Sequence, residues 1–476
     1  SGDRCGELHL LYRLAYTAEV SGEAVSSRLP MTVAVILSGE PAAAGQERCR
    51  AAAAAWMAPP GLAGAELGAW LAAGPLGGAL VAARVAEVRI NLQIVRWPSA
   101  VRPDLGGHAE YLMRSFWPGR GGALVPRWLE NTPDARRIAR DPALRARLLA
   151  WLGRPESLDA IEEGTALLPE ELSAERAVSV TPRGLSRRAN RPFRQILSPA
   201  DVAGLPLAGR QVIGSPEALL RRLDDMSCAG CHQSRTIAGF HLLGEDGPEV
   251  APGNALAVAI SPHMAAEVRR RAALTAALAA GGPGELARPM AERAPGEPGE
   301  SGARCGLGDP GFASWTCAEG LVCVAIDAPA DDHAVGVCLP PEASRVGEPC
   351  EIGALRPHAD PHRDRVARRR ARPCETGVCN GNKVGFPAGM CTASCDELPD
   401  GAACGVIALL TPFNNCLARR TPFPRCLAEH VAPAGLRACS AERPCREDYI
   451  CARAPSGEGT CIPPYFLFQL RVDGHP

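Results

Sequence analysis

The sequence predicts an α+β multidomain protein with an antiparallel N-terminal sheet and helices, a helical middle region, and disulfide-rich C-terminal modules. Apolar and polar residues alternate with period two in three segments before residue 100, as in half-buried strands. Between residues 131 and 281 the apolar residues recur at helical spacing instead. Sixteen of the 20 cysteines then fall between Cys305 and Cys461. A chain of 476 residues is long enough for several domains.

The N-terminal α+β domain is expected to span residues 1–130 and to contain three strands of one sheet. Their alternating apolar residues are Leu10, Tyr12, Leu14 and Tyr16; Met31, Val33, Val35 and Leu37; and Val88, Ile90, Leu92 and Ile94. An alanine-rich helical region with Cys49 separates the second strand from the third. Outside the later clusters, Cys5 is the cysteine left to pair with Cys49. We therefore expect a Cys5–Cys49 disulfide that ties strand to helix.

A helical connection is predicted over residues 131–195. Asp141, followed directly by proline, is a good N-cap for a helix, and Gly153 is placed to end that helix. We expect further short helices and loops in the rest of this connection.

A second helical unit is predicted over residues 196–281. Two of its helices begin with the pair Ser-Pro, at Ser215 and at Ser261, and Gly281 ends the second of them. Residues 282–304 are rich in proline and glycine and show no periodicity, which predicts a linker.

Residues 227–244, SCAGCHQSRTIAGFHLLG, carry the main functional motif of the chain. Cys-x-x-Cys-His is the pattern of covalent haem c attachment. Two thiols at this spacing add across the two vinyl groups of haem, and the adjacent imidazole lies beneath the iron as the proximal ligand. The pattern assigns Cys228 and Cys231 to the thioether bonds and His232 to the iron.

The segment around this motif resembles a small single-haem domain of the c-type cytochrome family. A helix whose apolar face contains Leu219, Leu223 and Met226 runs directly into the motif, and a last helix closes a segment of domain size. The resemblance covers residues 196–281 only. It implies one covalent haem c with its iron, and electron transfer to a redox partner protein.

The second axial ligand decides what such a haem does. A Met or His there gives a closed electron carrier, whereas an open position admits peroxide or a gas. The candidates are His263, Met264 and His241. Met264 follows His232 more closely than is usual in the family, and His241 could instead act as a distal acid/base. An electron carrier is favoured over a haem peroxidase-like enzyme or ligand sensor, and whether the protein is a catalyst stays undecided at this point.

Other chemistries also use two cysteines at this spacing. A structural Cys228–Cys231 disulfide, a thioredoxin-like redox pair and a zinc corner are the alternatives. However, no strand leads into the motif as a thioredoxin-like context requires, and a second ligand pair at zinc-finger spacing is missing. The nearest other cysteines, Cys49 and Cys305, lie far along the chain, which sets the motif apart from the disulfide-rich region.

The disulfide-rich modules are expected over residues 305–464, where one cysteine pattern recurs. Each unit has a first and a second cysteine, a third after four or five intervening residues, and then Gly-x-Cys. The units are Cys305, Cys317, Cys323 and Cys338; Cys350, Cys374, Cys379 and Cys391; and Cys439, Cys445, Cys451 and Cys461. A further group fits the pattern poorly and consists of Cys395, Cys404, Cys416 and Cys426. Cross-links at this density replace a hydrophobic core.

The spacing resembles Dickkopf-like and EGF-like cysteine-rich modules. The resemblance implies a recognition surface for a cell-surface partner or for self-assembly. Within a unit we expect first-to-third and second-to-fourth pairing, although spacing alone does not determine connectivity. A C-terminal strand over residues 465–476 is expected to return to the N-terminal sheet.

Composition predicts a secreted bacterial protein, periplasmic or extracellular. The 20 cysteines favour an oxidising compartment, and a start without Met is what a removed signal peptide leaves. The 51 basic residues balance 52 acidic ones, which argues against nucleic acid as a partner. No uninterrupted apolar segment is long enough for a transmembrane helix. Besides a c-type cytochrome, a haem enzyme or sensor and a structural or adhesive surface protein remain alternatives.

Overall fold

The structure is a computed structural model. It describes residues 7–20, 23–38, 46–57, 61–74, 84–97, 108–181, 188–232, 262–288, 290, 298–299, 303–325, 334–344, 348–352, 355–356, 365–366, 370–375, 377–380, 390–392, 438–440, 450–453 and 459–462. The helices and strands given below all lie within these residues.

The N-terminal sheet is antiparallel. Its described strands are β1 (Glu7–Val20), β2 (Glu23–Ser38), β3 (Arg84–Trp97), β4 (His108–Pro118), β5 (Leu124–Arg127) and β6 (Arg176–Thr181). The first five are neighbours in chain order, and β6 pairs with β4. The strands predicted from alternation are β1, β2 and β3, so the antiparallel N-terminal sheet is confirmed. The helices α1 (Gln46–Ala55) and α2 (Gly64–Ala73) connect β2 to β3, as the alanine-rich composition predicts.

The two faces of this sheet are covered to different extents. In β2 the more deeply buried face carries Thr32, Ala34 and Ile36. The opposite face carries most of the alternating apolar residues that the sequence singles out. Of these, Met31, Val33 and Val35 of β2 are half-buried, and Tyr12 of β1 is 54% exposed. The register places Arg89 of β3 opposite Ala34, so a charged residue of β3 shares the buried face.

The helical region forms one continuous core. Its helices are α3 (Ala135–Arg140), α4 (Pro142–Leu152), α5 (Pro155–Glu163), α6 (Pro199–Val202) and α7 (Pro216–Met226). Asp141 caps α4 and Ser215 caps α7, each by accepting backbone hydrogen bonds, which confirms both predicted helix starts. Buried side chains from Leu148 to Leu223 belong to a single cluster. The packing is therefore continuous across residue 196, where the sequence predicts the boundary between the helical connection and the second helical unit.

Helix α7 is buried along most of its length, including its charged residues. Every residue from Ala218 to Met226 is buried. The guanidinium of Arg222, which is 0% exposed, donates hydrogen bonds to the carbonyl oxygens of Ile161 (3.0 Å) and Arg288 (2.7 Å). This side chain therefore closes the C-terminal end of α5 and fastens a later segment of the chain to it.

The last helix, α8 (Pro262–Ala279), lies against α1. The Nε of Arg50 in α1 donates a hydrogen bond to the carbonyl oxygen of Ala279 over 3.1 Å. The resemblance to small cytochromes led us to expect that α8 would close a haem unit together with α7. A separate cytochrome-like helical domain is not confirmed.

The first cysteine module packs on the N-terminal end of α7. Phe312 of the module is buried in one cluster with Ala218 of α7 and with Met290 from the segment predicted to be a linker. The hydroxyl of Ser215 donates a hydrogen bond to the carboxylate of Asp309 over 2.6 Å. Met290 of the proline- and glycine-rich segment thus takes part in the contact between α7 and the module.

The cysteine-rich region consists of short antiparallel strand pairs joined by disulfides. Its described strands are β7 (Arg304–Gly306), β8 (Val322–Val324), β9 (Val335–Leu339), β10 (Glu351–Ile352), β11 (Leu355–Arg356), β12 (Arg365–Val366), β13 (Arg370–Ala371), β14 (Val378–Asn380), β15 (Met390–Thr392), β16 (Ala438–Cys439), β17 (Ile450–Arg453) and β18 (Gly459–Ile462). The described bonds are Cys305–Cys323, Cys317–Cys338, Cys350–Cys379 and Cys374–Cys391. First-to-third and second-to-fourth pairing is therefore confirmed in the first two units.

Among the described residues, no helix is both long and apolar enough to cross a membrane. Several predictions concern residues outside the described ranges: the pairing partner Cys5, the candidate ligand His241, Cys445 of the third cysteine unit, the group of cysteines that fits the repeat poorly, and the strand over residues 465–476.

Candidate functional site

The Cys-x-x-Cys-His motif forms a 3-10 turn, Cys228–His232, directly after α7. Ser227 caps this turn. Its hydroxyl accepts a hydrogen bond from the N–H of Gly230 (3.0 Å) and donates one to the carbonyl oxygen of Asp224 (2.7 Å). Because a 3-10 helix has three residues per turn, positions 228 and 231 lie one turn apart on the same side of the backbone.

The motif lies on the buried face of the N-terminal sheet. Cys228 is 3% exposed and packs in a cluster that includes Ala34, Met113 and Ala177. Alanine on β2 and on β6 lets the turn approach the sheet closely, because a methyl group takes up little of a densely packed interior. Cys228 is a thiol.

The loop after β5 holds Cys228 in place. The Oγ1 of Thr132 accepts a hydrogen bond from the N–H of Cys228 over 2.9 Å and donates one to the carbonyl oxygen of Glu130 over 3.2 Å. The thiol of Cys228 donates to the same carbonyl oxygen, with a sulfur–oxygen distance of 3.8 Å. Thr132 is buried, so these linked hydrogen bonds are shielded from water and fix the position of the sulfur.

Asn131 gives this loop its shape. Its φ of 51° lies in the left-handed region, which asparagine tolerates better than most residues. The side chain accepts a hydrogen bond from the N–H of Leu168 (2.8 Å) and donates one to the carbonyl oxygen of Ala166 (2.9 Å). The loop that holds Cys228 is thereby fastened to the segment after α5.

A half-buried ion cluster lies beside the thiol. Arg89 donates hydrogen bonds to both carboxylate oxygens of Glu87 (2.6 and 2.9 Å) and to Glu130 (2.8 Å), and the hydroxyl of Ser115 donates to Glu87 (2.6 Å). Burial alone would lower the pKa of Arg89, but the hydrogen bond with Glu87 and the charges of Glu130 and Glu87 raise it above its ordinary value. Arg89 is therefore a permanent positive charge near Cys228.

The other predicted haem ligands are described only in part. Cys231 and His232 belong to the 3-10 turn, but only their backbone is described. His263 and Met264 lie in the first turn of α8, again as backbone only, and His241 lies outside the described residues. Their roles on the iron stay predictions.

The remaining predicted site residues concern disulfides and metals. Cys49 in α1 is disulfide-bonded, while Cys5 lies outside the described residues, so their mutual pairing stays a prediction. Within the described residues, the closely spaced groups of candidate metal ligands are cysteines of the first two modules, and all of these belong to disulfides. In this part of the chain no candidate metal cluster includes Cys228.

Sequence patterns did not find Arg89 or Thr132. Arg89 alternates with apolar residues in β3, which suggested that it faces solvent, whereas the motif covers that face of the sheet. Thr132 reaches Cys228 from a distant part of the chain. The only signal near it is the turn-forming sequence Asn-Thr-Pro that starts at Asn131.

Comparison of the chain with protein-family models, with curated proteins and with solved structures finds no match.

Proposed function

We propose that this chain is an exported c-type cytochrome with a single haem bonded to Cys228 and Cys231, and with His232 as the proximal ligand. One observation carries the proposal: the motif forms a 3-10 turn directly after a buried helix. In such a turn the two cysteine positions lie on one side of the backbone, with the histidine next in sequence. This is the arrangement that covalent attachment through two sulfurs uses.

The described groups around Cys228 support this proposal by their chemistry. Cys228 carries a thiol, which is the group that adds to a vinyl carbon. Its cluster consists of apolar side chains, among them Ala34, Met113, Leu129 and Ala177, and suits the apolar rim of a porphyrin. The thiol and its apolar neighbours are therefore groups that a haem edge would contact.

In this proposal the loop after β5 positions the sulfur. Addition of the Cys228 thiol to a vinyl group would form a carbon–sulfur bond and pass the thiol proton to the vinyl carbon, so it would need no oxidant. The sulfur would then no longer donate to the carbonyl oxygen of Glu130. That oxygen would keep its hydrogen bond from Thr132, so it would still have a donor after attachment.

Electron transfer is the role that we propose. Bound haem iron supplies a one-electron couple between its ferrous and ferric forms. Among the described groups near Cys228, Arg89, Glu87 and Glu130 bind one another, so none of these is poised as a general acid or base. A redox protein is the proposed partner, and the disulfides favour an oxidising compartment.

The proposal is tested by the absorption spectrum of the protein, produced together with a cytochrome c maturation system. We expect a Soret band that stays with the polypeptide in denaturant, and a sharp α band after reduction. Cys228→Ser with Cys231→Ser should abolish both bands. Cys305→Ser with Cys323→Ser changes a matched pair of cysteines outside the motif and should leave the haem bound.

Two results would overturn parts of this proposal. A high-spin ferric spectrum would replace the electron carrier with an enzyme or sensor that has an open sixth position. The lack of a Soret band in the wild-type protein would remove the haem assignment and leave a structural or adhesive role.

A further inference from the structure

The third cysteine unit repeats the backbone arrangement of the first. The strand order is β7-β9-β8 in the first unit and β16-β18-β17 in the third, so in both the last strand lies in the middle. The third and fourth cysteines of each unit face each other across this antiparallel pair. Cys323 lies opposite Cys338, and Cys451 lies opposite Cys461.

The first and third units also share the same residue pairing on the other side of the middle strand. Cys305 lies opposite Gly336 in the first unit, and Cys439 lies opposite Gly459 in the third. Each glycine stands two residues before the fourth cysteine of its unit. The first, third and fourth cysteines therefore occupy the same register positions in both units.

The second unit shares the core of this arrangement. Cys379 lies opposite Cys391, as the third and fourth cysteines do elsewhere. In the first two units, moreover, the N–H of the fourth cysteine donates to the carbonyl oxygen two residues before the first cysteine. These bonds run from Cys338 to Ala303 (2.8 Å) and from Cys391 to Glu348 (2.9 Å).

A glycine on the middle strand allows the first and third cysteines of a unit to form a disulfide. Cys305 and Cys323 lie on the two outer strands, and their disulfide passes the middle strand at Gly336. A Cβ at Gly336 would lie 2.9 Å from the Sγ of Cys323 and 2.6 Å from the carbonyl oxygen of Val324. Only glycine leaves the space that this disulfide needs, and Gly459 occupies the same position in the third unit.

We propose that Cys439 is bonded to Cys451 past Gly459. This pairing leaves Cys461 to bond with Cys445, which lies outside the described residues. Although Cys451 and Cys461 face each other, the equivalent facing cysteines of the first two units bond to the first and second cysteines instead. Each new bond removes two protons and two electrons from two thiols. A disulfide-carrying oxidant accepts them and becomes a dithiol.

This pairing has a consequence for the rest of the region. Three copies of one covalent module then use four cysteines each. The group Cys395, Cys404, Cys416 and Cys426 is left to pair outside this scheme.

Disulfide mapping of the full chain tests the proposal. Trypsin combined with a glutamate-specific protease places each cysteine of the third unit on its own peptide: ACSAE, RPCR, DYICAR and GTCIPPYFLFQLR. We expect ACSAE linked to DYICAR, and RPCR linked to GTCIPPYFLFQLR, in the digest without reductant. A link between DYICAR and GTCIPPYFLFQLR, or between any of the four peptides and the fourth cysteine group, would overturn the proposal. The link between VGEPCE and TGVCNGNK in the second unit is the internal control.

Paired substitutions give a second readout that does not depend on proteolysis. Cys439→Ser with Cys451→Ser removes both ends of one proposed bond and should add no thiol to the count in denatured protein. Cys439→Ser with Cys461→Ser removes one end of each bond and should add two thiols. Two added thiols in the first double variant and none in the second would contradict the proposed pairing.

Discussion

Asp224 shows how helix α7 can carry charge in a core. Its carboxylate is 1% exposed, accepts a hydrogen bond from the N–H of Phe193 (2.8 Å) and lies 3.5 Å from the Nε of Arg194. Burial raises the pKa of Asp224 to about 7, although the charge of Arg194 and the hydrogen bond with Phe193 act in the opposite direction. Desolvation prevails because the ion pair is long and is itself buried.

The raised pKa makes stability depend on pH with a definite sign. Folded protein holds a proton on Asp224 at pH values where the unfolded chain has lost it. The stability that this proton contributes is fully present below pH 3.8 and is lost as pH rises through about 7. The whole shift corresponds to about 4 kcal/mol, of which about 3 kcal/mol falls between pH 5 and pH 8.

The substitution Asp224→Asn tests this reasoning. The amide oxygen can still accept the hydrogen bond from Phe193, while the charge is gone. We expect the free energy of unfolding of the variant, minus that of the wild type, to increase by about 3 kcal/mol from pH 5 to pH 8. Urea unfolding followed by circular dichroism measures this difference.

A second aspartate provides the control. Hydrogen bonds with Ser198 and Arg145 lower the pKa of Asp201 to about 2, below both test conditions. The effect of Asp201→Asn should therefore be the same at pH 5 and pH 8. If Asp224→Asn, like Asp201→Asn, changes the free energy of unfolding by the same amount at pH 5 and pH 8, the raised pKa of Asp224 is refuted.

Two further substitutions test the contacts around the cysteines. Thr132→Val removes both hydrogen bonds of a buried hydroxyl and should cost about 1 to 3 kcal/mol of unfolding free energy in thermal or urea denaturation. The exposed control Thr165→Val should cost less than about 0.5 kcal/mol, and equal costs would show that Thr132 does not hold the loop. Gly336→Ala places a Cβ against the Sγ of Cys323 and should raise the number of thiols that react in the folded protein. Gly204→Ala, with nothing within 4 Å of its Cβ, should not, and equal thiol counts in the two variants would contradict the role of Gly336.

Local patterns predicted the local structure of this chain well. Alternation in β1, β2 and β3 identifies strands because it needs only the two-residue period of an extended chain. Asp141 and Ser215 mark helix starts because a cap depends on its immediate neighbours. The repeated cysteine spacing led to the correct pairing in the first two modules, since each module closes within a short stretch of chain.

Contacts between distant segments were not predictable in the same way. Alternation shows that the two faces of a strand differ, but it does not show which face other elements cover. In β3 the covered face carries Arg89, whose charge is acceptable there because Glu87 and Glu130 bind it. The contact between Thr132 and Cys228 depends on how the sheet and α7 pack together. No local pattern encodes that packing.

The docking of the first cysteine module was missed for a similar reason. The linker predicted over residues 282–304 gave no indication that a module contacts the helical core. Phe312 instead packs against Ala218 of α7, and Gly311 fits there because a Cβ would lie 2.7 Å from the Cβ of Ala218. A glycine and a phenylalanine side by side in a disulfide loop do not indicate which surface they contact.

The most direct test of the proposed function is the mass of one tryptic peptide. Cleavage after Arg222 and after Arg235 releases LDDMSCAGCHQSR, which contains Cys228, Cys231 and His232. The protein is produced with a cytochrome c maturation system and isolated from an oxidising compartment. The proposal predicts that this peptide carries the mass of one haem and that a thiol reductant does not remove this mass. A peptide of unmodified mass, or one shortened by two hydrogens through a Cys228–Cys231 disulfide, would contradict it.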